Sequence, residues 1–387
     1  MDDVRYAWYL GVDWATRAHQ CCLLDADRRV VEERVVDHSG AAVGTWLDAL
    51  TRRVGSLAQV AVAIEVPRGP VVEALLERGA HVYALNPKQL DRFRDRHTVA
   101  GAKDDRRDAF MAADALATDR GCFRRVGLDD PRVLQLRECS RADEDLRQEN
   151  NRLINRLREQ LHRYYPQILQ LSPAADDPWI WDLLDRAPTP AEGARLRLGT
   201  IQRLLKAHRL RRLTTDVVVA TLRTPALVVA PGVSAAAIRH LQLLLPRLRL
   251  VHTQRKVCAA LLEQLLAALT DDAEDGAPGP PGPSDVAILR SCPGVGRVVA
   301  STLLAEAARP LAARDYAALR AHAGVAPVTH QSGQRRVAVM RQACSGRLRT
   351  AFYHWARIAA MADPRARAQY AALRQRGHTH GRALRSV

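Results

Sequence analysis

Apolar and polar positions follow two regimes along the chain. In the first third, short apolar runs are punctuated by turn residues. Residues 9–12 form an apolar run that closes on Asp13, and residues 18–24 form a second that closes on Asp25-Ala26-Asp27. This pattern predicts a hairpin whose first strand ends on a carboxylate. Residues 30–36 predict a third strand, and residues 40–53 an amphipathic helix with Val43, Trp46, Leu47 and Leu50 on one side. The run 60–65 is apolar throughout and ends on Glu65, as expected of a central strand covered on both faces. A short helix over 70–78, a strand over 81–85 stopped by Asn86-Pro87, and helices over 89–96 and 104–117 complete this part.

Three hairpin-joined strands followed by helix, strand, helix, strand and helix is the element order of the ribonuclease H-like (RuvC-like) fold. The expected fold class is therefore α/β over residues 1–128, a mixed five-stranded sheet with helices. Beyond it the apolar spacing becomes three to four. Residues 131–165 and 234–269 predict two long amphipathic helices, the region 129–270 being helical throughout apart from a Pro- and Asp-rich break at 172–190 that holds Trp179 and Trp181. The two seams fit either a coiled coil between chains or closure on each other within one chain. Residues 271–283 (DDAEDGAPGPPGP) read as a linker, and 284–387 as a small helical domain. Within it, ILRSCPGVGRVVASTLLA has the form of a helix-hairpin-helix, and 335–357 reads as a basic helical run.

Charge changes the picture. The 387 residues carry a formal charge of +16 and a pI near 10.2, which points to a polyanionic partner, nucleic acid first. No apolar stretch approaches the ~20 residues of a membrane span. No secretory signal is visible, and the seven scattered cysteines lack a C-x-x-C spacing, so a reducing cytoplasm without structural zinc is expected.

The candidate chemistry is a set of carboxylates from three segments. Asp13 and Glu65 end strands, while Asp105 and Asp108, three apart, share one face of a helix; Asp104 with Asp108 would share it too. Mg²⁺ takes oxygen ligands, and two ions about 4 Å apart can activate an attacking oxygen and stabilise a leaving one. Singly, each carboxylate has a plainer role in a turn, a cap or an ion pair; their joint placement on the strand order favours metal binding. Ser332 sits in a His-containing segment, QSG, with no triad to be asserted around it. Candidate nucleic-acid contacts are Lys103; Gly294, Gly296 and Arg297 of the PGVG turn; and Arg335, Arg336, Arg341, Arg347 and Arg349, with further arginines over 137–163.

GVDWA, AIEVPRG, KDDRRDA, the PGVG turn, GVAPVTHQSG and MRQACSGRLRTAFYHWARIA together resemble the DEDD transposases of the insertion sequence 110 family. The resemblance covers both ends of the chain, about two thirds of it, and is weakest over the middle helices. It implies a bacterial, nucleoid-associated recombinase with a RuvC-like domain, a coiled-coil region and a C-terminal transposase domain. It also implies Asp13, Glu65, Asp105 and Asp108 as ligands of two Mg²⁺ ions, and Ser332 as the nucleophile that holds the cut strand as a phosphoserine. Target and donor DNA, a noncoding bridge RNA and a dimer or tetramer of the chain are the implied partners. The competing readings are a RuvC-type Holliday-junction resolvase, which needs no serine, and a non-catalytic nucleic-acid-binding protein.

Overall fold

The computed structural model describes residues 5–97, 104–127, 130–271 and 283–387, and the chain divides into two units, Met1–Asp129 and Asp130–Val387. Lys103 and residues 272–282 of the expected linker lie outside the described residues.

The first unit is built on a sheet in the order β3-β2-β1-β4-β5-β6. Its strands are β1 (Trp8–Asp13), β2 (Ala18–Asp25), β3 (Val30–Asp37), β4 (Val60–Ile64), β5 (His81–Ala84) and β6 (Arg124–Arg125). The first three pair antiparallel; β1 pairs parallel with β4, and β4 with β5. The five predicted strands are present, and β6 adds a two-residue edge antiparallel to β5. A pair of adjacent arginines has no apolar alternation to announce it.

Four helices accompany this sheet: α1 (Gly40–Val54), α2 (Pro70–Glu77), α3 (Pro87–His97) and α4 (Asp105–Asp119). Successive strand residues face opposite sides, so β1 and β4 contribute to two cores. Leu10, Val12, Val60, Val62 and Ile64 pack with Trp46, Leu47 and Leu50 of α1. Ala61 and Ala63 pack on the other side with Met111, Ala112, Ala115 and Leu116 of α4. All five residues of β4 are buried, as its unbroken apolar run predicts.

The second unit is helical. Its spine is α5 (Pro131–Tyr164) with α10 (Pro231–Asp271), and between them run α6 (Pro178–Arg186), α7 (Pro190–Ala194), α8 (Leu198–Ala207) and α9 (Thr215–Leu222). The spine helices run antiparallel, because Leu153 to Tyr164 share one core with Leu241 to Val251 whereas Leu136 shares another with Leu262 and Leu266. The main seams therefore close on each other within the chain. The expected break at 172–190 contains α6, whose Trp179 and Trp181 are buried in the first of these cores.

The second core collects α11 (Asp285–Ser291), α12 (Arg297–Glu306) and, after α13 (Ala308–Ala312) and α14 (Tyr316–His322), helix α15 (Gly346–Ala362). The expected helix over 335–357 is a strand followed by a helix: β7 (Val328–Ser332) and β8 (Arg335–Val339) form a separate hairpin, and only from Gly346 is the chain helical. The alternation Arg-Arg-Val-Ala-Val has a strand period, and Ser345 supplies an N-cap that accepts the Leu348 N–H at 3.3 Å. Helices α16 (Pro364–Gln375) and α17 (His380–Ser386) end the chain.

Candidate active site

The register of the sheet decides where the first two carboxylates sit. Val12 is paired with Ile64 in the parallel β1–β4 ladder, so Asp13 at the end of β1 and Glu65 just beyond β4 are one step further along neighbouring strands. Across the antiparallel ladder Asp13 is opposite Gln20. Asp13 follows Gly11 on the strand's α4 side by the two-residue alternation.

That side is closed by α4 at unusually short range. A Cβ at Gly11 would stand 1.8 Å from the Ala109 carbonyl oxygen and 2.8 Å from the Ala113 nitrogen. Only a glycine facing alanines allows this approach of strand and helix. Asp108, immediately before Ala109, is 4% exposed. Asp104 is the N-cap of α4, its carboxylate accepting the Arg106 N–H at 3.4 Å, while Asp105 is the first helical residue and is exposed. The positive end of the helix favours carboxylates in this first turn. The capping role gives Asp104 a structural task that Asp105 does not have.

Two ion pairs tie α4 to the hairpin. Arg106 pairs with Glu33 of β3, and Arg28, at φ 65°, reaches Asp114 at 3.1 Å. Beyond Asp13, the Ala15 N–H donates to His19 Nδ1 at 3.4 Å, and His19 Nε2 lies 2.9 Å from His38 Nδ1. Accepting at Nδ1 places the neutral His19 proton on Nε2, which then donates to His38. Burial first and the neighbouring His38 second lower the His19 pKa and favour this neutral form. Trp14 packs against both rings, at 6.1 Å and 6.2 Å between centroids. His19 and His38 belong to no motif of the sequence, and Gly11 only opens GVDWA; their signal in it is a histidine at an inward position of a strand and a glycine inside one.

Thus the strand order brings Asp13 and Glu65 to adjacent strand ends and lays α4 over β1, with Asp108 buried and Asp105 exposed in its first turn. Among the described residues, no three His, Cys, Asp or Glu side chains stand close enough together to hold a metal ion.

Ser332 belongs to the second unit. It ends β7, opposite Arg335, and the two are joined by the turn Gly333-Gln334 with Gly333 at φ 54°. Every residue from Thr329 to Val339 is exposed, so the serine is carried at the tip of a solvent-surrounded hairpin with Arg335 and Arg336 beside it. The left-handed turn is what a two-residue hairpin demands, and glycine supplies it.

The other candidate contacts divide. Gly296 is exposed and caps α12, whereas Gly294 packs against α15, where a Cβ would meet the Ala359 nitrogen at 2.9 Å. Trp355 Nε1 donates to the Pro293 carbonyl at 3.0 Å, so one side of the PGVG turn faces its own domain. Arg297 faces Glu263 at 3.9 Å. Arg347 donates to Ser140 Oγ at 2.9 Å and pairs with Glu306 at 3.1 Å; Arg349 donates to the Arg341 carbonyl at 2.5 Å. On α5, Arg141 and Arg147 pair with Glu306 at 3.2 Å and Glu144 at 2.7 Å. Arg141, Arg297 and Arg347 tie helices together and Arg147 and Arg349 are held locally, while Arg335 and Arg336 remain open to solvent.

A family model described as a DEDD transposase of the IS110 type matches residues 10–166, and a second, described as the IS116/IS110/IS902 transposase family, matches residues 286–371. The y4uE protein of Sinorhizobium fredii, a transposase by name, is 53% identical over 55% of this chain, and the match spans 59% of its own length. The mini-circle protein of IS117 from Streptomyces coelicolor, also named as a transposase, is 31% identical over 98% of this chain and 90% of its own. An uncharacterised 43.6 kDa protein of insertion element IS110 from the same organism is 29% identical over 97% of this chain. Matches of this length and at both ends, on a RuvC-like sheet followed by helices, settle the kinship: the chain belongs to the IS110 family of DEDD transposases.

Proposed function

We propose that this chain cuts and exchanges DNA strands to move an insertion sequence, using Asp13, Glu65, Asp105 and Asp108 as Mg²⁺ ligands and Ser332 as nucleophile. The observation that carries the reading is the parallel register that sets Asp13 and Glu65 at neighbouring strand ends, with α4 packed on β1 at Gly11. An all-oxygen donor set from three segments suits Mg²⁺ in its chemistry. Asp108, 4% exposed, lies in the first turn of α4, at the end of the helix that favours a carboxylate. When bound, Mg²⁺ supplies positive charge that activates the attacking oxygen and stabilises the leaving one.

Ser332 Oγ forms the bond to phosphorus as the phosphorus–sugar oxygen bond breaks; the serine proton departs and the sugar oxygen leaves as a hydroxyl. Attack by a hydroxyl of the partner strand reverses the step and returns the serine. The phosphodiester is conserved, so exchange needs no external energy source. An exposed hairpin tip suits a nucleophile that must reach a strand held elsewhere, and Arg335 and Arg336 suit its phosphates. A bridge RNA would supply sequence choice, and a second copy of the chain the partner site.

The test is a denaturant-resistant protein–DNA adduct on a substrate bearing the element's ends. Wild-type protein with Mg²⁺ should form it and Ser332→Ala should not, while Asp108→Asn should lose both adduct and cleavage. Cleavage retained in Ser332→Ala with no adduct in the wild type would instead identify a water-using resolvase.

A further inference from the structure

A strongly basic stretch of the second unit, its last three helices, has no part in the strand chemistry above. Residues 345–387 contain nine arginines and one acid, Asp363. That carboxylate is already engaged as the N-cap of α16, accepting the Ala366 N–H at 2.8 Å. Some arginines elsewhere in the unit are matched to carboxylates, as Arg249 is to Asp182 at 2.8 Å and Arg314 to Asp285 at 2.6 Å. On the last three helices Arg357, Arg365, Arg374, Arg376 and Arg382 are exposed, and among the described residues none is ion-paired to a carboxylate. Like charges gathered without counter-charges oppose folding, so the arrangement makes sense with an anion on it.

Aromatic rings are set among these guanidiniums. His380, at the start of α17, stands between Tyr370 of α16 and Tyr353 of α15. Its Nδ1 is 2.8 Å from the Tyr370 hydroxyl and its Nε2 is 3.5 Å from that of Tyr353. Both pairs are edge-on, with centroids 5.9 Å and 6.3 Å apart. Tyr353 remains 42% exposed, and α16 has no buried residue at all. A histidine thus fixes two phenol rings on a surface that is otherwise cationic.

We propose that the α15–α17 face binds an unpaired polynucleotide strand, with a base stacked on Tyr353 and the backbone held by the surrounding arginines. Phosphates account for the unmatched guanidiniums, and exposed rings account for an unpaired strand, since bases inside a duplex have no free face to stack. The inference rests on the reading that the chain handles nucleic acid, and is independent of the chemistry at Asp13 and Ser332.

Full-length protein is titrated, without Mg²⁺, into labelled single-stranded RNA, single-stranded DNA and duplex DNA of one length, with anisotropy as the readout. Tyr353→Ala should weaken single-strand binding by about 5- to 100-fold, the range for loss of one stacked base, and Tyr353→Phe should restore it. Arg374→Ala with Arg382→Ala should make the plot of log affinity against log salt shallower by about 1.4, roughly 0.7 for each phosphate released. A preference of either single strand over duplex that depends on Tyr353 supports the proposal, whichever sugar is preferred. Unchanged affinity in a folded Tyr353→Ala, or equal losses on duplex and single strand, would overturn it. Because no cleavage is read, failure here and failure of the adduct assay are separate results.

Discussion

At the scale of single residues, Gly11 and His19 show how the neighbourhood of Asp13 is held. Gly11 has no room for a side chain: a methyl would overlap the Ala109 carbonyl at 1.8 Å, so α4 must move to admit it. Gly11→Ala should therefore destabilise the first unit by about 1–3 kcal/mol, the usual cost of overpacking, and urea unfolding would measure it. It should also lower cleavage, because α4 carries Asp105 and Asp108. His19 has a native pKa below that of the unfolded chain. Between those two values the unfolded state binds more protons, so stability falls as pH drops through about 6.5 toward the lower native value, and is fully present above it. Unfolding curves at pH 7.5 and 5.5 should differ more for the wild type than for His19→Gln.

At the scale of elements, α10 presents two apolar stripes. One is buried against α5, and the other, Leu243, Leu250 and Val257, repeats every seventh residue and is 70%, 59% and 64% exposed. A seven-residue repeat left open on a long helix is the pattern of a coiled-coil seam, in keeping with the proposed homo-oligomer. Leu243→Glu with Leu250→Glu should shift the protein toward monomer in light scattering across a dilution series; an unchanged mass would remove this stripe from the interface. The spacing of three and four already singles out Leu241, Leu244, Leu245, Leu248 and Val251, the residues that α5 buries. That Leu243, Leu250 and Val257 stay open is decided by what packs beside them, which a linear pattern does not record. The same limit hid β8: arginines next to valines resemble a basic helix face until Val328–Ser332 is seen to pair with it.

At the scale of the whole molecule, the excess of +16 predicts affinity for nucleic acid that collapses as salt rises. For about six phosphate contacts on duplex DNA the log–log slope should be near −5; a slope near zero would show that the arginines are used internally. Many are, including Arg141, Arg147 and Arg347. Exposed arginines with no carboxylate partner among the described residues lie on the β7–β8 hairpin and the last three helices, and also on α5 and α8, as at Arg152, Arg156 and Arg203.

Apart from β6 and the β7–β8 hairpin, the local pattern of the chain determined which segments became strands and helices, where the acidic strand ends fall, and to which family the molecule belongs, because these depend on short-range periodicity and on the residues themselves. Only the tertiary structure decided that α4 lies within van der Waals reach of β1, that Asp104 caps it, which arginines are paired, and that Ser332 stands on a hairpin tip. Each of those depends on what a residue far along the chain does with the space and charge around it, and a linear pattern carries no record of that partner.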